Sequence, residues 1–548
     1  MSLAQISMAL FSLALLPFYT TSRSTRDNSR QAYPETIPAL REWIGRENQA
    51  EEERTIYTFG SASRIVLDPA YSKRLLTTGT VFAADLRMLV RLEVPVVEHE
   101  QLSTVREGDI LLTLDSSMKE LGVEGYRIDI TDRVVVSAAD EHGVFYGTRT
   151  LLQLLKQDRT LRSGSVRDWP GYPERSLMID VGRKYFSLPW LESHVRELAY
   201  LKYNYFHIHL SDAYGFRLQS ELHPEIVAPR HYSKEEIREL IELAQTYSIT
   251  IVPEIDMPSH MHAILEPHPE LRLTNSQGVA RAGEIDLSQD ASYQLMQDIL
   301  EEFLPLFPGP YWHIGANEYI GQEEYANFPS LLTYAQQHYG PDANARDTYL
   351  GFVNWANDIV RSHGKTTRAW GGGLYGGRAV QVAPDIIYEH WLKSSLPPQE
   401  TVNRRPLLTG ESLDESYYVP GLDWQVAADI IYEVFDPRIL REQTGNISPH
   451  QKNLGARLRL WSDYPERETE NQIAEGMMYS LRALAQKNWG SIRLVPDYSS
   501  FLPIIVRIGH APGYAVPLSP EYLTPGQHLN VSITETEELS LDDEEDSQ

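Results

Sequence analysis

The sequence predicts an α/β protein: a (β/α)8 TIM barrel preceded by a small α+β domain. Three observations carry that expectation. From about residue 168 onward, short apolar runs alternate with longer amphipathic ones, the rhythm of parallel strands and crossover helices. Upstream, strand candidates with period-two alternation crowd together with helical stretches between and after them. The apolar runs of the second region end in carboxylates, histidines and tryptophans, and in a barrel the reactive residues sit at the carboxyl ends of strands.

Length and composition set the frame. The 548 residues, 42% hydrophobic and 10% aromatic, hold ample material for a core and suit two folded domains plus tails. We expect a small α+β domain over 50–167, the barrel over 168–515, and an acidic tail over 516–548 that ends in Leu541-Asp-Asp-Glu-Glu-Asp-Ser-Gln548 and is solvated and disordered. Residues 1–22 have an apolar centre (Ile6 to Phe18) too short to span a membrane and resemble a secretory signal, although no Lys or Arg precedes that centre. A secreted or extracytoplasmic protein with no stable membrane span is the expectation, and the sequons Asn446-Ile-Ser448 and Asn530-Val-Ser532 are compatible with it. A net charge of −27 argues against a nucleic-acid partner, which needs a basic face to displace counterions. The absence of cysteine excludes disulfides and thiolate metal sites.

In the first domain the strand candidates are Arg64-Ile-Val-Leu67, Asp109 to Leu114, Gly125 to Ile130 and Arg133 to Ser137, with a helix over Gly147 to Lys156. No motif there carries chemistry, so its expected role is to pack against the barrel. The barrel opens with strand Ser176-Leu-Met-Ile-Asp180, which exits at Asp180 and Arg183. Strand Tyr205 to Leu210 exits at Ser211-Asp212. A helix over Ser233 to Tyr247 opens with a capping box of Ser233 and Glu236 and leads to strand Ile249 to Pro253, which exits through Glu254, Asp256 and His260. Next comes Tyr311-Trp-His-Ile-Gly-Ala-Asn-Glu-Tyr319, a buried run delivering Glu318 to a cavity. Strands Thr366 to Trp370, Ile386 to Trp391, Pro406 to Thr409 and Ala456 to Trp461 complete the set.

The strand ends, with Arg175 just before the first, bring together Asp212, Asp256, His260, Asn317, Glu318, Trp370, Trp391, Tyr417, Trp461 and Asp463. Carboxylates beside indoles suit a pyranose, whose C–H faces pack on aromatic rings while its hydroxyls need charged or bidentate partners.

The motifs Gly125-Tyr-Arg, Gly143 to Gln153, Arg175 to Asp180, Tyr203 to Asp212, Pro253 to His260, His313-Ile-Gly-Ala-Asn-Glu318 and Leu460-Trp-Ser-Asp463 follow in order from about Thr55 to Tyr514. Through them the chain resembles the β-N-acetylhexosaminidases of glycoside hydrolase family 20. The resemblance implies substrate-assisted retaining hydrolysis of terminal β-linked N-acetylhexosamine, in which the sugar's 2-acetamido oxygen is the nucleophile. Carried over by position, it makes Glu318 the acid/base and places Asn317 where an aspartate usually orients the acetamido group. It implies that Arg175 grips the 3- and 4-hydroxyls, with Asp463 near the 4- and 6-hydroxyls. Trp370, Trp391 and Trp461 wall the pocket, and Tyr417, with Tyr418 as the adjacent candidate, donates to the acetamido oxygen. Asp212, Asp256 and His260 form a supporting network. The implied partner is an N-acetylhexosamine-containing oligosaccharide or glycoconjugate, and no cofactor or catalytic metal is expected.

Four departures stand out: Asn317 for Asp, Ser259 for Gly, Ala213 for Asp and Asp463 for Glu. Asn317 favours one rival reading, a carbohydrate-binding relative without turnover. His207-Ile-His209 suggests another, a metal-dependent barrel hydrolase, since alternate histidines on a strand face one way.

Overall fold

The amino-terminal layer is a mixed seven-stranded sheet in the order Glu42–Gly45, Gly164–Asp168, Tyr126–Ile130, Val134–Ala138, Ile110–Leu114, Ile65–Leu67, Val96–Val97. These features come from a computed structural model that describes residues 34–45, 56–98, 101–390, 407–409, 417–421, 428–438 and 453–515, with backbone alone at 407–409 and 417. Ile110–Leu114 and Tyr126–Ile130 bury every second residue, as the period-two pattern requires. The sheet includes Glu42–Gly45, ahead of the expected boundary at residue 50, because that strand pairs antiparallel with Gly164–Asp168. The helix Glu141–Gln157 is buried from Gly143 through Leu155. One side faces the sheet, where a Cβ at Gly147 would come within 2.5 Å of Val136 Cγ1. Its other side meets the barrel, the Tyr146 hydroxyl donating to the Tyr203 carbonyl at 3.2 Å.

Eight parallel strands form the barrel: β1 (Ser176–Asp180), β2 (Tyr205–His209), β3 (Thr250–Met257), β4 (Tyr311–Gly315), β5 (Thr366–Trp370), β6 (Ile387–Glu389), β7 (Leu407–Thr409) and β8 (Asn453–Leu460). Pairing of Ser176 with Arg457 and Ile179 with Leu460 closes β8 onto β1. Such strands are covered on both faces and read as continuous apolar runs, as β1 and β2 do. The helix Lys234–Thr246 carries the expected capping box of Ser233 and Glu236, and Ala345–Ser362 and Glu470–Trp489 have equivalents in Asn344 with Asp347 and Thr469 with Gln472. No helix forms between β5 and β6. Residues 371–386, between β5 and β6, are irregular, and the run Trp370-Gly-Gly-Gly-Leu-Tyr-Gly-Gly377 explains why, since glycine has poor helix propensity.

Two excursions leave the carboxyl end of the barrel. After β2 a three-stranded sheet forms from Ser211–Asp212, Gly215–Leu218 and Val227–Tyr232. After β3 a hairpin of Arg272–Thr274 and Ala280–Ile285 follows. No helix of the described residues is long and apolar enough to cross a membrane.

Candidate active site

β4 ends at Gly315, three residues short of Glu318, and the chain then curls through left-handed conformations, with φ of +71° at Gly315, +56° at Ala316 and +42° at Glu318. Only glycine fits at 315, because a Cβ there would lie 1.7 Å from Asp256 Oδ1. The curl is tied down from three sides. The Ala316 amide donates to the Met257 carbonyl at 3.0 Å, the Tyr349 hydroxyl donates to the Ala316 carbonyl at 2.8 Å, and the Ser259 hydroxyl donates to the Asn317 carbonyl. Glu318 emerges with its side chain 53% exposed. Asn317 is 6% exposed, and its Oδ1 is buried without a hydrogen-bond partner. A buried acceptor of that kind is rare and suits a donor brought by a ligand.

His260, at φ +56° and 20% exposed, stands between two carboxylates: Nδ1 is 3.5 Å from Asp212 Oδ1 and Nε2 is 3.6 Å from Glu318 Oε2. Burial works against its charge, but Asp212, Glu318 and Asp256 overcome it and lift the imidazole to about 10. His260 is therefore an imidazolium at neutral pH. Asp212 is buried too, yet His209, His260 and Arg183 hold it well below the usual carboxylate range. Asp256 goes the other way. Burial, reinforced by Glu254 and Asp212 and only partly offset by His260 and His209, pushes it well above that range.

Beneath this layer Glu254 organises the barrel interior. Trp370 Nε1 donates to Oε1 at 2.7 Å, His313 Nδ1 lies 3.2 Å from the same oxygen, and His207 Nε2 and His209 Nδ1 each lie 2.8 Å from Oε2. Burial opposes ionisation of Glu254, but the three histidines hold its carboxyl far down. The His207-Ile-His209 pair thus clamps a carboxylate. Burial and the neighbouring Arg457 push His207 down to about 3, and a guanidinium in contact with its Nδ1 disfavours a divalent cation there. β3 runs on to Met257, past the expected end at Pro253, because Glu254 and Asp256 are buried barrel residues, not solvent-facing exits.

Trp370 is fully buried, with its ring centroid 5.6 Å from that of Trp461, and His209 meets Trp461 edge-on at 5.2 Å. Trp461 is half-buried and Asp463 exposed at the rim. Trp391 lies outside the described residues. Tyr417 and Tyr418 pair alongside Arg459 and Leu460 of β8. The Tyr418 hydroxyl donates to Glu468 Oε2 at 2.7 Å, while the Tyr417 side chain lies outside the described residues.

Among the described residues, Arg175 is the one expected site residue that the structure sets apart. It precedes the amino end of β1, opposite the rim, and its side chain is fully buried. Nη1 and Nη2 donate to Glu124 at 2.8 and 2.9 Å, Nε to the Lys202 carbonyl at 2.7 Å and Nη1 to the Tyr172 carbonyl at 2.9 Å. Four of its five N–H groups are taken, and the side chain is buried at the end of β1 away from the rim. The arginine at the rim is Arg183, just beyond β1. Its Nη1 is 3.0 Å from Asp180 Oδ2, its Nη2 is 3.0 Å from Asp212 Oδ2, and the guanidinium lies over Trp461 at 5.3 Å. The signal was present in the sequence as a second arginine flanking the same strand. A five-residue strand separates its ends by about 16 Å, which decides which arginine can reach the site.

A closed parallel barrel whose carboxyl-end rim carries a projecting glutamate, an imidazolium, an arginine and paired indoles has the makeup of a glycoside-hydrolase barrel. The chain belongs to glycosyl hydrolase family 20: the family's catalytic-domain model matches residues 172–489 and its domain 2 model matches residues 33–169. Similar proteins include the lacto-N-biosidase of Bifidobacterium bifidum, 27% identical over 496 residues that make up 87% of this chain and 42% of that protein. The β-hexosaminidase of Porphyromonas gingivalis is 29% identical over 313 residues, 52% of this chain and 39% of that one. The match thus spans less than half the length of either relative. Among solved structures, the family 20 β-N-acetylhexosaminidase of Streptomyces coelicolor superposes with a TM-score of 0.68 at 23% identity, covering 90% of this chain and 99% of that one. The exo-β-N-acetylglucosaminidase of Vibrio harveyi, in complex with N-acetylglucosamine, gives 0.69 at 21%, covering 87% and 78%. These two show the fold.

Proposed function

We propose that the protein hydrolyses β-linked N-acetylhexosamine glycosides, with the sugar's own acetamido oxygen as nucleophile. The observation that carries this reading is the pairing of a projecting glutamate with a buried, unpartnered amide acceptor one residue before it, at Glu318 and Asn317. Asp212 is buried and held by Arg183 and His209, and Asp256 is buried with its carboxyl pushed well above the usual range, so neither suits the nucleophile of a two-carboxylate scheme.

In this mechanism the Glu318 carboxyl protonates the glycosidic oxygen as the bond from that oxygen to the anomeric carbon breaks. The acetamido oxygen forms the new bond to that carbon, giving a cyclic oxazolinium. Asn317 Oδ1 accepts the acetamido N–H and aligns the group. Water, deprotonated by the Glu318 carboxylate, then opens the ring with net retention. Arg183 and Asp463 bind the hydroxyls, Trp461 backed by Trp370 supports the ring face, and Tyr417 donates to the acetamido oxygen. The apolar centre from Ile6 to Phe18 supports an exported setting.

Turnover of matched aryl β-glycosides with and without the 2-acetamido group tests the reading. Hydrolysis of the N-acetyl substrates alone is expected, and Glu318→Gln abolishes it; equal turnover of the 2-hydroxy glycosides sinks the mechanism. Binding of N-acetylglucosamine with no release of aglycone after prolonged incubation supports a non-catalytic relative instead.

Asp463 favours a second reading of the unit removed. Its carboxylate is one methylene shorter than the usual glutamate, which leaves room beyond the sugar, and the similar lacto-N-biosidase covers 87% of this chain. Release of an intact disaccharide from an aryl β-disaccharide, with no turnover of the aryl monosaccharide, would establish it.

A further inference from the structure

Two His-Pro-Glu tripeptides, His223-Pro224-Glu225 and His268-Pro269-Glu270, lie 45 residues apart in the sequence and side by side in the fold. Each opens a single 3-10 turn, Pro224–Ile226 and Pro269–Leu271, and the two histidines share nearly the same backbone conformation, φ −131° and ψ 64° against φ −122° and ψ 55°. Proline at the first turn position fixes the chain, so the side chains are presented from stiff supports. Glu225 Oε1 faces both rings, 3.0 Å from His223 Nδ1 and 3.1 Å from His268 Nε2.

We propose that His223 Nδ1, His268 Nε2 and the Glu225 carboxylate bind a zinc ion that clamps the two rim excursions together. Three physical points carry the assignment. The three ligand atoms lie within 4.8 Å of one another. Ligand-to-ligand spacings of 3.0 and 3.1 Å approach those of a tetrahedral ion with bonds of about 2.0–2.1 Å. Each histidine also turns its other nitrogen toward a carboxylate: His223 Nε2 is 3.2 Å from Asp298 Oδ2 and His268 Nδ1 is 3.7 Å from Glu270 Oε1. At His223 this is a hydrogen bond of the kind that orients a metal-binding imidazole, and Gln294 Nε2 in turn holds Asp298 Oδ1 at 2.7 Å, while the Glu270 contact is a longer electrostatic one.

Two imidazoles and one carboxylate favour zinc over calcium or magnesium, which take oxygen ligands, and partial exposure leaves the fourth position to water. The clamp is structural. It joins the excursion after β2, which carries Asp212, to the excursion after β3, which carries His260, and both to the helix Asp290–Phe303 through Asp298.

The full chain, stripped with EDTA and desalted, tests this by zinc titration in a calorimeter and by thermal melting. One saturable site per chain and a rise in Tm of about 2 °C at saturating zinc are expected, with magnesium giving neither. Cobalt(II) in the same site should show the visible absorption of a four-coordinate ion. His223→Ala and His268→Ala should each remove the site and leave basal glycosidase turnover unchanged, while Glu225→Gln, which keeps the side-chain shape, should weaken zinc binding at least tenfold. Failure to saturate in the intact chain overturns the proposal. So does undiminished zinc binding in the doubly substituted His223→Ala, His268→Ala protein, because the ion would then sit elsewhere.

Discussion

Asn317 sets the expected rate. Its amide oxygen can accept the acetamido N–H, but an amide supplies no negative charge as positive charge develops on that nitrogen. A charge-assisted hydrogen bond contributes about 1.5–3 kcal/mol and a neutral one about 0.5–1.5 kcal/mol, a difference of roughly 1–2 kcal/mol in the transition state. Asn317→Asp should therefore raise kcat/KM on an aryl N-acetylglucosaminide by about five- to thirtyfold. Unchanged kinetics in that variant would mean that residue 317 does not touch the acetamido group. His260, two carboxylates away from neutrality, makes a prediction in pH. Its folded pKa, about 10, is raised above the ordinary 6.5, so the stability it contributes is complete below pH 6.5 and disappears as pH climbs through 10. Melting temperatures of the wild type and His260→Gln, followed from pH 6 to 10.5, should converge across that window. Parallel curves would show that the imidazolium carries no such linkage.

At the scale of elements, the exit of β4 decides the site. Gly315→Ala places a Cβ on Asp256 and a side chain at φ +71°, so Asp256 or the curl must move. A shift of about 1 Å in a catalytic group costs on the order of a hundredfold, whereas the strain amounts to about 1–3 kcal/mol. We expect kcat to fall at least a hundredfold while the cooperative melt survives; wild-type kcat would show that the curl tolerates displacement. This element also marks how far the sequence could be followed. β1 and β5 run from Ser176 to Asp180 and from Thr366 to Trp370, the bounds the sequence predicts, and every residue of the two but Thr366 is buried. β3 was harder to delimit, since Glu254 and Asp256 look like exits until the histidines that neutralise the burial cost are seen across the barrel. The left-handed curl announces itself only through Gly315, and hydrophobic periodicity carries no information on the sign of φ.

For the whole molecule, the decisive residue is the arginine that sequence position alone put in the wrong place. Arg175 belongs to a buried seam between the amino-terminal layer and the barrel, together with Lys202, whose Nζ lies 2.9 Å from Asp168 Oδ2 and 2.7 Å from the Tyr126 hydroxyl. Trp489 Nε1 donates to Asp168 Oδ1 at 2.8 Å from the barrel side of the same seam. Arg175→Met removes four donors and leaves Glu124 and two carbonyls short of partners, a loss of about 3–5 kcal/mol. Arg183→Met also costs stability, because it strands Asp180 and Asp212 in the interior. Melting alone cannot separate the two, and KM can. Under conditions where both variants stay folded, Arg175→Met should keep the wild-type KM for an aryl N-acetylglucosaminide. Arg183→Met should raise it at least tenfold, since loss of a charged hydrogen bond to a hydroxyl amounts to about 1.5–3 kcal/mol. The opposite pattern would move the sugar to the amino end of the barrel, beside Arg175.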